Sequence, residues 1–294
     1  MLAAGCGAGG WYVRHGQAEI ALSQGRLCDA EESYLAALRD SKAFPTPDER
    51  TGRTLLALGR LYLLVKRPDV AEPALRQAET HESDSTSDRN RASTLYSLGE
   101  SIRLQRRAAE AESFHKKALS MRQAFRPDSS TSREVAQSLT ALGAIDYALG
   151  RFEAAEGRYL AAMQSLRAVA SESELAALRA SLGQAVLAQK RYAEAIGYLE
   201  SAIRAWDAVY GRFQGKAADT RPREFPRTLE LWAAASTASG QPEAATLLRE
   251  RARQVRAHQA EADRKLVAEF TRSGTKLPPN CGTLGPFTPR GEMA

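Results

Sequence analysis

Histidine and cysteine are the side chains of this sequence best suited to acid–base, nucleophilic or metal chemistry. The four histidines are isolated from one another, and none belongs to an HExxH zinc motif: His15, His81, His115 and His258. The chain also has no CxxC pair and no glycine-rich phosphate loop. We therefore expect no catalytic residue, no metal site and no cofactor, and we expect His115 to be packed in a core.

The N-terminal segment around Cys6 is a candidate site of covalent modification. Leu2-Ala3-Ala4-Gly5-Cys6 resembles the lipobox of bacterial lipoproteins, in which small residues precede a cysteine that is acylated and becomes the first mature residue. Only five residues precede Cys6, too few for a charged segment followed by an apolar stretch. Two interpretations stay open: translation starts upstream and Cys6 anchors a periplasmic protein, or residues 1–10 are a Gly/Ala leader in a cytoplasmic protein.

The other two cysteines do not decide the compartment. Cys28 lies at the start of a predicted packing helix, where a buried thiol is expected. A disulfide between Cys28 and Cys281 is a second interpretation, although the spacing does not favour it. The sequence has no stretch of 18 apolar residues, so it predicts no helix that spans a membrane.

Small residues recur at a fixed distance along the chain. In four copies a glycine is followed twelve residues later by an alanine: Gly59 and Ala71, Gly99 and Ala111, Gly143 and Ala155, Gly183 and Ala195. Weaker copies flank these four, with Ala18 and Ala30 before them and Ala233 and Ala245 after them. The second residues of the six pairs are 41, 40, 44, 40 and 50 positions apart. Such a period predicts an array of six similar units over residues 11–265.

Each unit contains two helical patterns separated by a turn. In the fourth unit, apolar residues at positions 139, 142, 145 and 149 precede Gly150, and a second series occupies 152, 155, 159, 162 and 166. Both series fit a period of 3.6 residues. Glycine inside a helix costs about 1 kcal/mol relative to alanine, so we expect Gly143 and its equivalents to mark close helix crossings. Ser- and Asp-rich segments between the units predict turns and helix N-caps.

This pattern resembles the tetratricopeptide repeat. The fourth unit carries most of the family pattern, in Leu142-Gly143, Gly150, Phe152, Ala155, Tyr159 and Ala162. The spacing of about 42 residues exceeds the family's usual 34 and is similar to the longer variety of kinesin light chains and many bacterial proteins. The resemblance implies an all-α fold, a right-handed superhelical solenoid of about six helix–turn–helix units.

The predicted units lie near residues 11–44, 52–82, 92–126, 136–170, 176–210 and 226–258. The segment 210–226 contains Gly211, Gly215, Pro222 and Pro226, which interrupt the helical pattern and predict an enlarged loop. Residues 266–294 lose the period and are expected to form an irregular tail.

The resemblance implies a non-catalytic scaffold that binds an extended peptide or a partner protein in its concave groove. The first helix of each unit lines that groove. The candidate partner-binding residues are the inward positions near the Leu-Gly pairs: Arg53, Arg60, Tyr96, Arg103, Gln137, Thr140, Tyr147 and Gln184. Their basic, aromatic and amide groups suit a peptide with acidic or aromatic side chains. No small-molecule substrate is expected.

Composition and charge narrow the range of possible binding functions. The formal net charge is +6, but arginine and glutamate are spread along the helix faces, which is typical of solvated surfaces. No interleaving of aromatic and basic residues favours nucleic-acid binding, which ranks last among the functions considered. Tetratricopeptide domains that clamp a C-terminal carboxylate use paired asparagines and lysines, whereas this chain has only Asn90 and Asn280. The main prediction is an interaction scaffold, lipid-anchored in the periplasm; the alternative is a cytoplasmic regulatory or assembly adaptor.

Overall fold

The computed structural model describes residues 4–82, 87–211 and 222–273, with side chains described between residues 9 and 265 of those ranges. Over these residues the chain forms twelve α-helices and no strand. The described residues divide into two compact units, one formed by the residues up to Ala124 and the other by Phe125–Ser273. Within each unit, consecutive helices pack as pairs. The predicted all-α solenoid fold is confirmed.

The helices of the first unit are α1 (Ala4–Ser23), α2 (Leu27–Ser41), α3 (Glu49–Leu64), α4 (Pro68–Thr80), α5 (Asp88–Leu104) and α6 (Ala108–Gln123). Those of the second unit are α7 (Ser129–Ala148), α8 (Phe152–Leu166), α9 (Glu172–Ala188), α10 (Tyr192–Tyr210), α11 (Glu224–Ala238) and α12 (Pro242–Ser273). The six helix pairs follow the six predicted units in order.

Several boundaries differ from the predicted ones. Helix α1 begins at Ala4, so the predicted leader is helical from that residue onward, and α12 continues to Ser273, past the predicted end of the array. Pro226 was expected to interrupt the helical pattern but lies inside the first turn of α11, where a missing N–H breaks no intrahelical hydrogen bond. Residues 212–221 of the predicted loop and 274–294 of the predicted tail lie outside the described residues.

Side-chain caps determine where the first helix of several pairs begins. Asp48 accepts hydrogen bonds from two backbone N–H groups at the start of α3, and Ser87 and Asp128 each cap the following helix. Ser171 and Glu174 form a reciprocal capping box at the start of α9. These caps satisfy N–H groups that have no partner within the helix, and they confirm the predicted N-cap chemistry between the units.

The glycines of the four predicted Gly–Ala pairs lie at close helix crossings, as predicted. A Cβ atom at Gly143 would lie 2.7 Å from Cε1 of Tyr159, and one at Gly183 would lie 2.7 Å from Cγ of Leu199. The facing side chain is sixteen residues after the glycine rather than twelve, and the same holds for Gly59 with Leu75 and Gly99 with His115. The alanine at twelve is itself fully buried in each of these pairs. Two small positions therefore let each helix pair pack closely.

A polar brace joins neighbouring pairs within each unit. A glutamate near the start of one second helix receives hydrogen bonds from a glutamine and an arginine in the turn of the next pair. In the first unit, Gln105 and Arg107 each hold Glu72 at 2.7 Å. In the second unit, Gln189 holds Glu156 at 2.7 Å and Arg191 holds it at 2.6 Å. These bonds fix the register of one pair on the next.

Candidate functional site

The candidate site is the surface that α1, α3 and α5 share in the first unit. We call it the first inner face and define it by the predicted residues Arg53, Arg60, Tyr96 and Arg103, together with His15, Glu19 and Glu100. The other four predicted residues lie in the second unit and are treated separately below.

Arg53 and Arg60 lie on α3 with exposed side chains, seven positions apart, which is about 10 Å along a helix. Arg60 is near enough to Tyr34 and Tyr96 to oppose the rise that burial causes in the pKa of both phenols. Among the described residues, neither arginine has a carboxylate within salt-bridge distance, whereas Arg50 of the same helix pairs with Asp48. Helix α3 therefore presents two available cations between α1 and α5.

Arg103 has a different environment from the one expected for a free groove cation. Its Nε and Nη2 atoms donate to the two carboxylate oxygens of Glu100 at 2.9 and 2.7 Å. Burial raises the pKa of Glu100, but His115 and Arg103 outweigh that effect through hydrogen bonds and charge, and the pKa falls to about 2. Arg103 is therefore held in place on this face by an ionised carboxylate.

His115 lies beneath Glu100 and is fully buried, which confirms the prediction of a packed histidine. Its Nε2 atom is 3.4 Å from Oε1 of Glu100, and its ring meets the Tyr96 ring edge-on with centroids 5.3 Å apart. The guanidinium of Arg122 covers the Tyr96 ring at 4.4 Å. Tyr96 is therefore wedged between a histidine and an arginine, and only part of its side chain reaches solvent.

Helix α1 contributes two residues that the sequence reasoning missed. Glu19 accepts a hydrogen bond from the Tyr34 hydroxyl, and the His15 ring stacks on Trp11 with centroids 4.8 Å apart. Burial lowers the pKa of His15. The charge of Glu19 opposes this decrease, whereas the charge of Arg53 lowers the pKa of His15 further. Glu19 and Glu100 directly follow the small residues Ala18 and Gly99 of their repeats, just as Arg60 follows Gly59. The repeat register could therefore have identified both glutamates as residues of this face.

The predicted residues of the second unit form a neutral surface on α7 and α9. Gln137 is exposed. The Thr140 hydroxyl donates a hydrogen bond of 2.8 Å to the carbonyl oxygen of Ala136. Tyr147 lies beside Phe152 with ring centroids 5.3 Å apart, and Gln184 is half-buried. These groups can accept or donate hydrogen bonds but carry no charge, in contrast to the first inner face.

Among the described residues, no three His, Cys, Asp or Glu side chains are grouped closely enough to hold a metal ion. None of the described helices is both long and apolar enough to cross a lipid bilayer.

The prediction of a buried thiol at Cys28 is wrong. Cys28 is only half-buried and is disulfide-bonded. Its partner cysteine lies outside the part of the chain whose side chains are described. The error arose because an apolar helix flank suits a free thiol and a disulfide equally well.

Comparison with known proteins agrees with this architecture. Tetratricopeptide repeat family models match residues 90–168 and 175–214. No curated protein matches the chain. The repeats of that family are generally a non-catalytic, protein-interacting fold.

Similar solved structures share the fold at low sequence identity. BtubC (BKLC) from P. vanneervenii is 19% identical with a TM-score of 0.61, covering 79% of this chain and 91% of that one. A Q17M variant of the repeats of a putative kinesin light chain from Podosopora anserina is 19% identical with a TM-score of 0.55, covering 75% and 99%. A Rap protein complexed with Competence and Sporulation Factor is 13% identical with a TM-score of 0.56, covering 86% and 76%.

These likenesses concern the fold alone, and they agree with the two family matches. The six helix pairs, with a glycine or alanine at each crossing, account for the matched segments and extend the pattern to both sides of them. The chain contains tetratricopeptide repeats over residues 90–168 and 175–214 and shares the fold of these repeat proteins.

Proposed function

We propose that this protein binds an extended, acidic segment of a partner protein along the first inner face and has no catalytic role. The observation that carries the proposal is the pair of exposed arginines, Arg53 and Arg60, which have no carboxylate partner among the described residues. A partner carboxylate would form charge-assisted hydrogen bonds with a guanidinium, and such bonds are among the stronger polar contacts in proteins.

The surroundings of the arginines favour an extended ligand with mixed chemistry. Leu64, at the end of α3, is 59% exposed, and Tyr12 on α1 is 62% exposed. An exposed leucine one helical turn from Arg60 suits a segment in which acidic and apolar or aromatic residues alternate. The neutral groups Gln137, Thr140, Tyr147 and Gln184 of the second unit are proposed to hydrogen-bond the partner's backbone or amide side chains.

The test uses the full chain as bait and a peptide array that contains acidic peptides and their amide counterparts. The Arg53→Ala/Arg60→Ala double variant is expected to bind acidic peptides about tenfold more weakly, because two charge-assisted contacts are lost. Arg39→Ala/Lys117→Ala is the matched control, since both residues are exposed on second helices of the same unit and the change in net charge is identical. Equal losses in the two double variants would contradict the proposal, as would equal binding of the amide peptides.

We further propose that the protein works outside the cytoplasm, anchored through an acylated Cys6. The disulfide at Cys28 supports a location outside the cytoplasm, because disulfides persist mainly in oxidising compartments. An acylated Cys6 has no free thiol, so the proposal requires Cys281 as the partner of Cys28. Cell fractionation, with mass spectrometry of the N-terminal peptide, is expected to find the chain in the membrane fraction with a lipid mass on Cys6. A soluble protein with an unmodified Cys6 and a reduced Cys28 would favour the cytoplasmic adaptor instead.

A further inference from the structure

Helix α1 has an apolar face whose equivalents in later repeats are covered. Val13 is 60% exposed and Ile20 is 56% exposed. At the same repeat positions, α3 carries Thr54 and Leu61 with at most 2% exposure, and α5 carries Thr94 and Ser101 with at most 3%. Thr54 accepts a hydrogen bond from Trp11 of α1, which shows that this position faces the preceding helix pair. On α1 the same face therefore has the form of a helix-packing surface.

The residue types on this face do not resemble those of a solvated helix surface. A helix face that meets only solvent normally carries charged and polar side chains. The stripe consists of the exposed residues Gly9, Val13, Gln17 and Ile20 with the half-buried Gly16, and it carries no charge. Exposed apolar surface of this kind marks an interaction site, and two identical uncharged stripes can meet without repulsion.

The order of large and small residues on the stripe makes it complementary to itself. A Cβ atom at Gly9 or Gly16 would meet no other heavy atom within 4 Å, so each glycine leaves a hollow on the surface. If two copies of α1 pack antiparallel, Val13 of one copy lies opposite Gly16 of the other, and Ile20 lies opposite Gly9. The same two contacts then occur twice, as a two-fold symmetric interface requires. Glycine hollows also allow the two backbones to approach closely.

We propose that this face binds a second copy of the chain through an antiparallel pairing of the two α1 helices. The pairing goes beyond the proposed binding of a partner segment and does not depend on it. A contact between only two α1 helices, one from each copy, buries less than the roughly 1,200 Å² of a standard stable interface. The dimer is therefore weak and reversible, with a Kd on the order of micromolar. Such a dimer would join two first units and double the number of partner sites in one particle.

The test is sedimentation velocity of the full 294-residue chain over a concentration series that brackets the micromolar range. The wild type is expected to shift from monomer to dimer as concentration rises. Ile20→Glu is expected to raise the dimer Kd by at least about tenfold, because it places two carboxylates inside an apolar contact. Leu247→Glu is the matched control, since Leu247 is 74% exposed on α12 and the same change there is expected to leave the dimer Kd unaltered.

A second variant tests the hollows. Gly16→Val has room in the monomer, where circular dichroism is expected to show a folded helical protein, but it fills the hollow that Val13 of the other copy occupies. Its dimer Kd should therefore rise as well. A chain that stays monomeric over the whole series would overturn the proposal, and so would equal effects of Ile20→Glu and Leu247→Glu. Binding of the monomer to phosphatidylglycerol vesicles, abolished by Ile20→Glu, would assign the face to a lipid surface and would also overturn it.

Discussion

Two glycines of the second unit show that the surroundings of a residue decide what an added methyl group does. Gly143 lies in α7 beneath the buried Tyr159 ring. Gly157 lies inside α8, and a Cβ atom added there would have no heavy atom of another part of the chain within 4 Å. Both glycines carry the same intrinsic cost in a helix. Only at Gly143 does the missing side chain allow contact with a neighbouring helix.

Alanine substitutions at these two sites should therefore act in opposite directions. Gly143→Ala is expected to lower the free energy of unfolding by about 1–3 kcal/mol, because the Tyr159 ring must move. Gly157→Ala is expected to raise it by up to about 1 kcal/mol through better helix propensity. Urea unfolding followed by far-ultraviolet circular dichroism measures both. The same sign for the two variants would show that Gly143 has no packing role.

Glu100 ties the stability of the first unit to pH. Its pKa falls to about 2 in the folded chain, below the ordinary value of 4.5. A depressed pKa means that the unfolded chain takes up the proton more readily. The contribution is therefore complete above about pH 4.5 and is lost as pH falls toward 2, and at neutral pH it is on the order of 3 kcal/mol.

Glu100→Gln is expected to destabilise the protein by about 2–3 kcal/mol at pH 7, because it leaves Arg103 without its counter-charge on a half-buried face. The variant should also lose less stability than the wild type between about pH 4.5 and pH 2. Thermal unfolding across this pH range is the measurement. Glu32→Gln, an exposed glutamate on α2 with no ion pair among the described residues, is the control. Parallel pH profiles for wild type and Glu100→Gln would contradict this role.

At the scale of the helix pair, the connecting turn contains one residue in the left-handed region. Glycine fills this position at Gly25, Gly150 and Gly240, where φ lies between 71° and 81°. Lys66, Arg106 and Lys190 adopt φ values of 61–64° at the equivalent positions. A side chain with a Cβ atom is strained there, by roughly 1–2 kcal/mol per residue.

Lys190→Gly should therefore stabilise the chain, even though glycine usually destabilises folded proteins. The expected gain is about 0.5–1 kcal/mol, since relief of strain exceeds the extra entropy of the unfolded glycine. Differential scanning calorimetry would show it as a higher Tm. Lys190→Ala removes the same charged side chain but keeps the Cβ atom, so no gain is expected from it. If both variants raise the Tm equally, the turn conformation is not the cause.

The helix pairs could be predicted because their signals are local and repeated. Apolar residues at a helical period, a glycine at each crossing and Ser or Asp caps all follow from nearby residues. Arg103 and Glu100 are three residues apart on one helix, so their pairing is also a local signal that the sequence contains. The contact of Glu100 with the buried His115 could not be predicted in the same way, since it depends on how α6 packs on α5. The disulfide at Cys28 was not the preferred interpretation, because the flank of a packing helix suits a free thiol and a disulfide equally well. The start of α1 at Ala4 was missed because Gly5, Gly7 and Gly9 have low helix propensity.

At the scale of the whole molecule, the residues that define the repeat and the residues offered to a partner are different sets. Alanines and glycines at the crossings are buried and are similar in both units, whereas the inner surfaces differ. The first unit offers Arg53 and Arg60 on a face that also holds Glu19 and Glu100, and the second offers amides and hydroxyls. A common scaffold thus presents two chemically distinct surfaces, and the partner's charged groups are expected to contact the first.

The net charge of +6 and the two unpaired arginines together predict how ionic strength affects partner binding. Charges exposed to solvent are screened beyond about 10 Å at 0.1 M salt. The affinity for an acidic peptide from the array should therefore fall by about tenfold between low and high salt, mainly through slower association. Fluorescence anisotropy with a labelled peptide measures this dependence.

The two double variants separate local pairing from the general field of the molecule. Arg53→Ala/Arg60→Ala should bind weakly and show a clearly shallower salt dependence, because the contacts that salt screens are gone. Arg39→Ala/Lys117→Ala removes the same net charge from second helices and should keep most of the wild-type slope. If both variants flatten the slope equally, long-range attraction by the whole chain accounts for binding, and the position of the two arginines on α3 is not what selects the partner.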